Sequence, residues 1–363
     1  MTAGSMQPYA LTLDKFLDHA AKWHGGTEVV TNGPGGSTRI DYAGLRARAN
    51  RMSGALTALG LNAGDNFATL AWNSQAHLEC WYGAMGVGIV CHTLNPRLAS
   101  AHLATMIHQA QNRVLAVSPG LEPLVHALLD LCPMIEHVIM LDEPGHEHIV
   151  PTDPVAKFWN QQDLLDRHGA EMIWGAFEET APAGLCFTSG TTGAPKGVTY
   201  THRSNYLETV HLLHADVLGL RSRDVVLVAV PMFHANGWGL AFAGPATGAR
   251  LVLPARDQDG ASLARLIEDE KVTVAAGVAT VWLGLLDHLE RTGGSVPSLE
   301  RILLGGASVP QALMDRIETR LGVIVQTSWG MTELSPLGTV TPASSDLRRS
   351  STSGRPPVGV DLC

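Results

Sequence analysis

The chain lacks closely spaced cysteines. Its five, Cys80, Cys91, Cys132, Cys186 and Cys363, are odd in number, far apart and mostly set among apolar residues. A Cys-rich zinc site needs close pairs, and a secreted disulfide framework needs an even, patterned set. The pattern points instead to buried free thiols in a reducing, cytoplasmic compartment. His146 and His148 share a polar stretch, but without neighbouring cysteines they do not make a structural metal site. No apolar run approaches the roughly 18 residues of a membrane-spanning helix. The first twenty residues carry no basic start followed by an apolar block, so a secretory signal is not expected. Positive charge is also short. Lys and Arg number 25 against 34 Asp and Glu, a net charge of -9. That balance argues against a nucleic-acid partner, which asks for a basic face, but leaves room for a local basic pocket. No repeat of the length used by solenoids or propellers is visible.

What is there suits a large α/β protein. The 363 residues, 45% hydrophobic, are enough for two or more domains or subdomains. Leu45, Ala49, Met52, Leu56 and Leu59 recur at helical spacing, and Gly60 stops the run. Short apolar strands are expected at 67–71, 89–91, 114–117 and 138–141, with helices between them. Residues 143–181, interrupted by Pro144, Gly145, Pro151 and Pro154, read as a connecting region. Alternation then resumes. Strands are expected near 184–187, 197–201, 225–230, 250–253, 273–276, 301–304 and 323–327, and helices near 203–217, 260–269, 279–291 and 310–320. Such alternation implies parallel βαβ units. The expected organisation is a first α/β subdomain with its connecting region (1–175), a second with the binding sites (176–340), and the start of an incomplete barrel-like subdomain (341–363).

Residues 188–198 read Thr-Ser-Gly-Thr-Thr-Gly-Ala-Pro-Lys-Gly-Val. Gly190 and Gly193 let backbone N–H groups approach an anion, and turned N–H groups make an anion nest. Thr188, Ser189, Thr191 and Thr192 add hydroxyl donors, and Lys196 adds a point charge suited to phosphate. The spacing is not that of a Walker A loop. Two readings of these residues stand: a polyphosphate cradle fed by the apolar strand Leu185-Cys186-Phe187, or a polar surface turn. Gly305-Gly306-Ala307-Ser308 and Trp329-Gly330-Met331-Thr332-Glu333 also fall at predicted strand ends. The second half reads as a doubly wound sheet, which binds ligands at the carboxyl ends of its strands. All three segments are therefore expected at one sheet edge.

Together these segments resemble the adenylate-forming superfamily of acyl-CoA synthetases, luciferases and peptide-synthetase adenylation domains. The resemblance continues through Thr201-His202-Arg203, Pro231-Met232-Phe233-His234-Ala235-Asn236-Gly237-Trp238-Gly239 and Gly354-Arg355-Pro356. In the first half, Leu70-Ala71-Trp72-Asn73 and His92-Thr93-Leu94-Asn95-Pro96-Arg97 are similar to the fatty-acyl-CoA ligase branch. The resemblance implies a fold of two βαβ-rich subdomains within the large N-terminal domain of such an enzyme, and activity with ATP, Mg²⁺ and coenzyme A.

It also implies site roles. The 188–197 loop, including Lys196, would hold the β- and γ-phosphates. Thr188 and Glu333 would ligate Mg²⁺, a hard cation that takes oxygen ligands. Thr332 would contact the α-phosphate. Trp329 stands where the family usually has tyrosine against adenine. Gly305, Gly306 and Ala307 would form the other wall of that slot, with Ser328, Gly330 and Met331 beside it. His234, Trp238, Gly277 and Val278 would line the acyl pocket. From the residues alone, His234 and Trp238 also fit an aromatic core cluster.

The implied catalytic group set is Lys196, Thr188, Glu333 and His234. No Asp occupies the pocket segments as it does in amino-acid-activating relatives, where it pairs an ammonium group that would be costly to bury alone. A simple acid is therefore expected. Trp329–Pro336, with His234–Trp238, most resembles medium-chain acyl-CoA ligases, a subgroup that includes 3-(methylthio)propionate ligases. That resemblance implies a short- to medium-chain aliphatic acid first, a methylthio acid second and an aryl acid third. Family members continue past Gly-Arg-Pro into a small mobile domain with a catalytic lysine, so the chain reads as C-terminally truncated, with that domain absent. A homodimer is a further expectation.

Overall fold

The computed structural model describes residues 8–146, 156–188, 195–344 and 352–362. In chain order its strands begin with β1 (Glu28–Thr31), β2 (Thr38–Asp41), β3 (Asn66–Leu70), β4 (Val90–Leu94) and β5 (Val114–Val117). Then come β6 (His137–Met140), β7 (Lys157–Asn160), β8 (Pro182–Thr188), β9 (Lys196–Thr201) and β10 (Val225–Val228). The last are β11 (Arg250–Leu253), β12 (Val274–Gly277), β13 (Arg301–Leu304), β14 (Ile324–Gly330) and β15 (Leu337–Val340).

They make two sheets. One runs β15-β14-β13-β12-β10-β11-β1-β2, and the other β7-β6-β5-β3-β4-β8-β9. Both are parallel except at hairpins that finish an edge: β1–β2, β14–β15 and β8–β9. Parallel strands have both faces covered, so they read as continuous apolar runs such as Val225-Val226-Leu227-Val228.

The side chains divide by face. Val226 and Val228 point into a core shared with Phe67, Trp81, Tyr42 and Phe242. Leu227 points the other way, into a cluster with Ile302 and the helices Gly260–Glu270 and Ala279–Thr292. Leu70, Leu115 and Val117 face the helices Ser100–Ala110 and Glu122–Leu131 on the far side of the other sheet. The result is five layers, with one helix layer sandwiched between the two sheets. The buried middle-layer phenols are satisfied: Tyr42 donates to Ala249 O at 2.5 Å and Tyr82 to Ala241 O at 2.9 Å.

The sheet boundary does not follow the expected division at residue 175. β1 and β2, from the first 41 residues, complete the sheet of the second half. β8 and β9 complete the sheet of the first half. β1 is only four residues long, and its partner β11 lies more than two hundred residues away, so no local pattern could assign it. Residues 143–181 also hold more structure than a linker, because β7 and the helix Gln161–His168 lie within them. Asn160 caps that helix by accepting from the Asp163 N–H. The expected barrel-like start at 341–363 is represented among the described residues by an isolated antiparallel bridge between Val340 and Arg355.

One buried side chain joins the sheets where the binding segments begin. Asn73, just beyond β3, donates through Nδ2 to Val228 O at 2.8 Å and Val230 O at 2.7 Å. Its Oδ1 accepts from the Met232 N–H at 2.7 Å. Its own carbonyl accepts from the Ala255 N–H at 3.0 Å. The amide thus satisfies three backbone groups where β10 stops being a strand.

A buried cluster lies nearby, beyond the ends of β3, β5 and β6 of the seven-stranded sheet. Glu143 Oε1 accepts from Ser118 Oγ at 2.6 Å and Ser74 Oγ at 3.0 Å, while Ser74 caps the helix Gln75–Gly86. Burial pushes the Glu143 carboxyl up to about 7, against two hydrogen bonds that favour the charged form.

Two outcomes are expected. Asn73→Leu strands three buried backbone groups and should destabilise the fold by about 3 kcal/mol or more, read by urea unfolding. Glu143 holds its proton more tightly folded than unfolded. Its contribution is fully present below about pH 4.5 and is lost as pH rises through about 7. Of order 3 kcal/mol of pH-dependent stability should therefore vanish in Glu143→Gln, read by unfolding midpoints across that window.

Candidate functional site

β8 and β9 form a hairpin with Thr188 directly opposite Lys196. The intervening Ser189, Gly190, Thr191, Thr192 and Gly193 lie outside the described residues. The stems are placed, and they sit on the seven-stranded sheet. Gly305–Ser308 follow β13, and Trp329–Glu333 span the last two residues of β14 and the turn after it, in the eight-stranded sheet. The expectation of one common sheet edge is therefore corrected: the segments belong to two different sheets. β8 is drawn to the first sheet by its parallel pairing with β4, through Cys91, His92 and Thr93.

The segments still meet. A cavity of about 540 Å³ takes Thr188 and Lys196 from one sheet, and Gly306, Ser328, Trp329 and Gly330 from the other. Met331, Thr332 and Glu333, in the turn after β14, continue the wall. His234 and Trp238 come from the region around the short 3-10 turn Ala235–Gly239.

That turn is conformationally unusual. Ala235 and Trp238 have φ of 42° and 54°, in the left-handed region. A non-glycine residue there costs roughly 1–2 kcal/mol. The neighbouring segment is clamped by Asn73 at Met232 and by Thr93 Oγ1, which donates to Phe233 O at 3.4 Å. Gly237 and Gly239, also at positive φ, share the bend.

Trp238 packs against the shared core and also lines the cavity. His234 faces the cavity, and desolvation holds its imidazole below the usual pKa, favouring the neutral ring.

The wall beside Trp329 depends on missing side chains. A β-carbon on Gly305 would lie 2.5 Å from Ser328 Oγ and 3.3 Å from Trp238. Gly306, at φ of 83°, backs onto Val278. Trp329 is 44% exposed, leaving ring surface for a planar ligand, and packs over Gly338 of β15, where a β-carbon would lie 2.5 Å from its ring.

Among the other expected residues, Gly305, Ala307, Gly277 and Val278 are not in the cavity lining. Gly277 instead packs against the core tryptophan Trp282, whose Nε1 donates to Gly277 O at 3.3 Å. Sequence reasoning missed Glu208, Leu212, Leu303 and Leu337 as lining residues. Glu208 and Leu212 lie on the helix His202–Leu212, expected from the sequence near 203–217 without its cavity-facing side.

The whole-chain comparison decides the family. The AMP-binding enzyme model matches residues 16–363. The chain belongs to the AMP-binding enzyme family.

This AMP-binding chain is 40% identical to a 3-methylmercaptopropionyl-CoA ligase of Ruegeria lacuscaerulensis, over 99% of its own length and 68% of the relative's. It is 37% identical to a medium-chain-fatty-acid–CoA ligase of Ectopseudomonas oleovorans, over 99% and 67%. It thus spans about two thirds of the length of the curated relatives it matches. In fold it is similar to an anthranilate CoA ligase solved with anthranoyl-AMP, with a TM-score of 0.85 at 21% identity, covering 97% of this chain and 66% of that one. The N-terminal domain of FACL13 from Mycobacterium tuberculosis gives a TM-score of 0.80 at 24% identity, covering 96% and 82%. No helix among the described residues is long and apolar enough to cross a membrane.

Gly305→Ala should displace Ser328 and Trp238 and weaken AMP binding by about tenfold or more, at about 1–3 kcal/mol in stability. Calorimetric titration with AMP, paired with thermal unfolding, checks both.

Proposed function

We propose that the chain carries the adenylate-forming site of an AMP-forming acyl-CoA ligase for a short- to medium-chain carboxylic acid. The supporting observation is the single cavity in which Thr188, Lys196 and Glu333 share a surface with Trp329, His234 and Trp238. In this reading Lys196 and the stems of the 188–196 hairpin hold the polyphosphate, Thr332 holds the α-phosphate and Trp329 lies on the adenine. The curated relatives named as CoA ligases support the same reaction class.

The donor set suits Mg²⁺. Thr188 and Glu333 offer a hydroxyl and a carboxylate on one cavity, and hard cations take oxygen ligands together with phosphate. Among the described residues no group of three His, Cys, Asp or Glu could hold a metal by itself, which fits a cation that arrives with its nucleotide. Bound there, the ion would neutralise phosphate charge.

The chemistry asks for positioning and charge compensation rather than a protein nucleophile. A substrate carboxylate oxygen forms a bond to the α-phosphorus as the bond to pyrophosphate breaks, giving an acyl adenylate. Coenzyme A thiolate then attacks the acyl carbon and AMP leaves. His234, neutral and facing the cavity, can donate a hydrogen bond to the carboxylate without adding a fixed charge. The acid ranking remains aliphatic, then methylthio, then aryl; a cytoplasmic homodimer belongs to the same reading.

A second reading, nucleotide and acid binding without turnover by these 363 residues, is favoured by the length comparison, since they align with about two thirds of the ligase relatives.

One experiment addresses both. Mg·ATP binding and acid-dependent pyrophosphate release are measured on the 363 residues and on a form extended to the relatives' length. Glu333→Gln should slow pyrophosphate release by roughly 10²-fold in whichever form turns over. Unchanged release would remove Glu333 from the site. Binding without release in the shorter form would favour the second reading.

A further inference from the structure

The adenylation reading leaves one ionisable residue of the cavity lining without a role. Glu208 is 4% exposed, forms part of the cavity wall and lies on the helix that follows the β8–β9 hairpin. Its Oε1 is buried and has no hydrogen-bond partner among the described residues. It forms no described salt bridge.

Contrast the other buried glutamates. Glu79 is held by Arg48, Gln75 and Gln161. Glu143 is held by two serines, and Glu270 by Arg39. Glu208 is therefore a buried carboxyl of a different kind: walled in, bordering the cavity and unsatisfied.

The surrounding backbone makes room for it. Gly239, at φ of 71°, closes the turn that carries Trp238. A β-carbon there would lie 2.3 Å from Glu208 Oε2. The carboxyl thus sits against the backbone of the segment expected to meet the acyl group, with Leu212, Trp238 and Leu337 also on the cavity. Burial drives its pKa well above the usual carboxylate value. In that neutral form it can both donate and accept a hydrogen bond. Leaving the buried Oε1 unpaired is costly, and a rotation of the carboxyl that brings it to a donor on a ligand in the cavity recovers that cost.

We propose that Glu208 is a specificity-determining residue that selects carboxylic acids bearing a hydrogen-bond donor, a hydroxyl or an amine, on the carbon chain. The inference rests on the adenylation reading for the identity of the cavity and deepens it by naming the substrate class. The expectation of a simple acid over an amino acid rested on the lack of an Asp in the recognised pocket segments, and Glu208 lies outside them.

The test uses matched acids of four to six carbons: each unsubstituted parent, its hydroxy isomers and its amino isomers. They are titrated calorimetrically into the 363-residue chain, with and without a non-hydrolysable Mg·ATP analogue. At least one donor-bearing acid should bind the wild type about tenfold or more tighter than its parent. Glu208→Leu should reverse that order while leaving binding of the Mg·ATP analogue unchanged. An ammonium entering the cavity would favour the ionised carboxylate and pair with it, which an amide cannot match. Glu208→Gln, the safer variant for folding, should therefore keep a hydroxy-acid preference and lose an amino-acid preference, separating the two donors. Parent acids binding the wild type as well as every substituted acid would overturn the proposal, as would a preference that survives in both variants. Failure of the wild type to bind the Mg·ATP analogue, with the acid preference intact, would count against the adenylation reading and leave Glu208 as an acid-selecting residue.

Discussion

The Asn73 amide is the constraint on which the arrangement depends. A parallel sheet delivers its strands to one edge, but it does not say how two sheets are set against each other. Here one fully buried side chain leaves the end of β3 and completes the hydrogen bonding of Val228, Val230 and Met232 as β10 unravels. An apolar side chain of similar size would fill the space and satisfy none of those groups. Because the clamp acts at Met232, it also fixes the start of the segment that turns through left-handed Ala235 and Trp238. Strain in that turn is held by packing on one side and by hydrogen bonds on the other.

From this joint the division of labour follows. The seven-stranded sheet supplies Thr188 and Lys196 at the ends of a hairpin; the eight-stranded sheet supplies small residues after β13 and the Trp329–Glu333 wall at the end of β14. Charge and hydroxyl donors thus face a slot kept open by glycine. Gly305, Gly306 and Gly338 matter for what they lack, since a β-carbon at any of them would press on Ser328, Val278 or Trp329. The helix His202–Leu212 enters the same space and brings the buried carboxyl of Glu208.

Much of the fold was legible because its signals are local. The helix Tyr42–Ala58, the strands β5, β11 and β13, and the helix Ala279–Thr292 fall where apolar period and glycine stops place them. Most of the cavity lining was legible too, through motifs of hydroxyls, glycines and one lysine. What failed was assignment over distance. β8 and β9 were placed with the strands that follow them, yet β8 pairs with β4 and carries β9 with it; β1 and β2 were not identified, yet extend the far sheet. Gly277 lay in a recognised segment but serves Trp282.

The sequence by itself determined the alternation of strands and helices, the absence of a membrane-length apolar run, and the family, because each is written in local periodicity or in contiguous residue types. Only the tertiary structure decided which sheet each strand joins, and that two motifs on different sheets share one cavity. Both depend on pairings between residues far apart in the chain. It alone showed Glu208 as an unsatisfied carboxyl. On a polar stretch of helix a glutamate reads as a solvated face. Burial, a missing partner and the bare backbone of Gly239 beside it are properties of the assembled space.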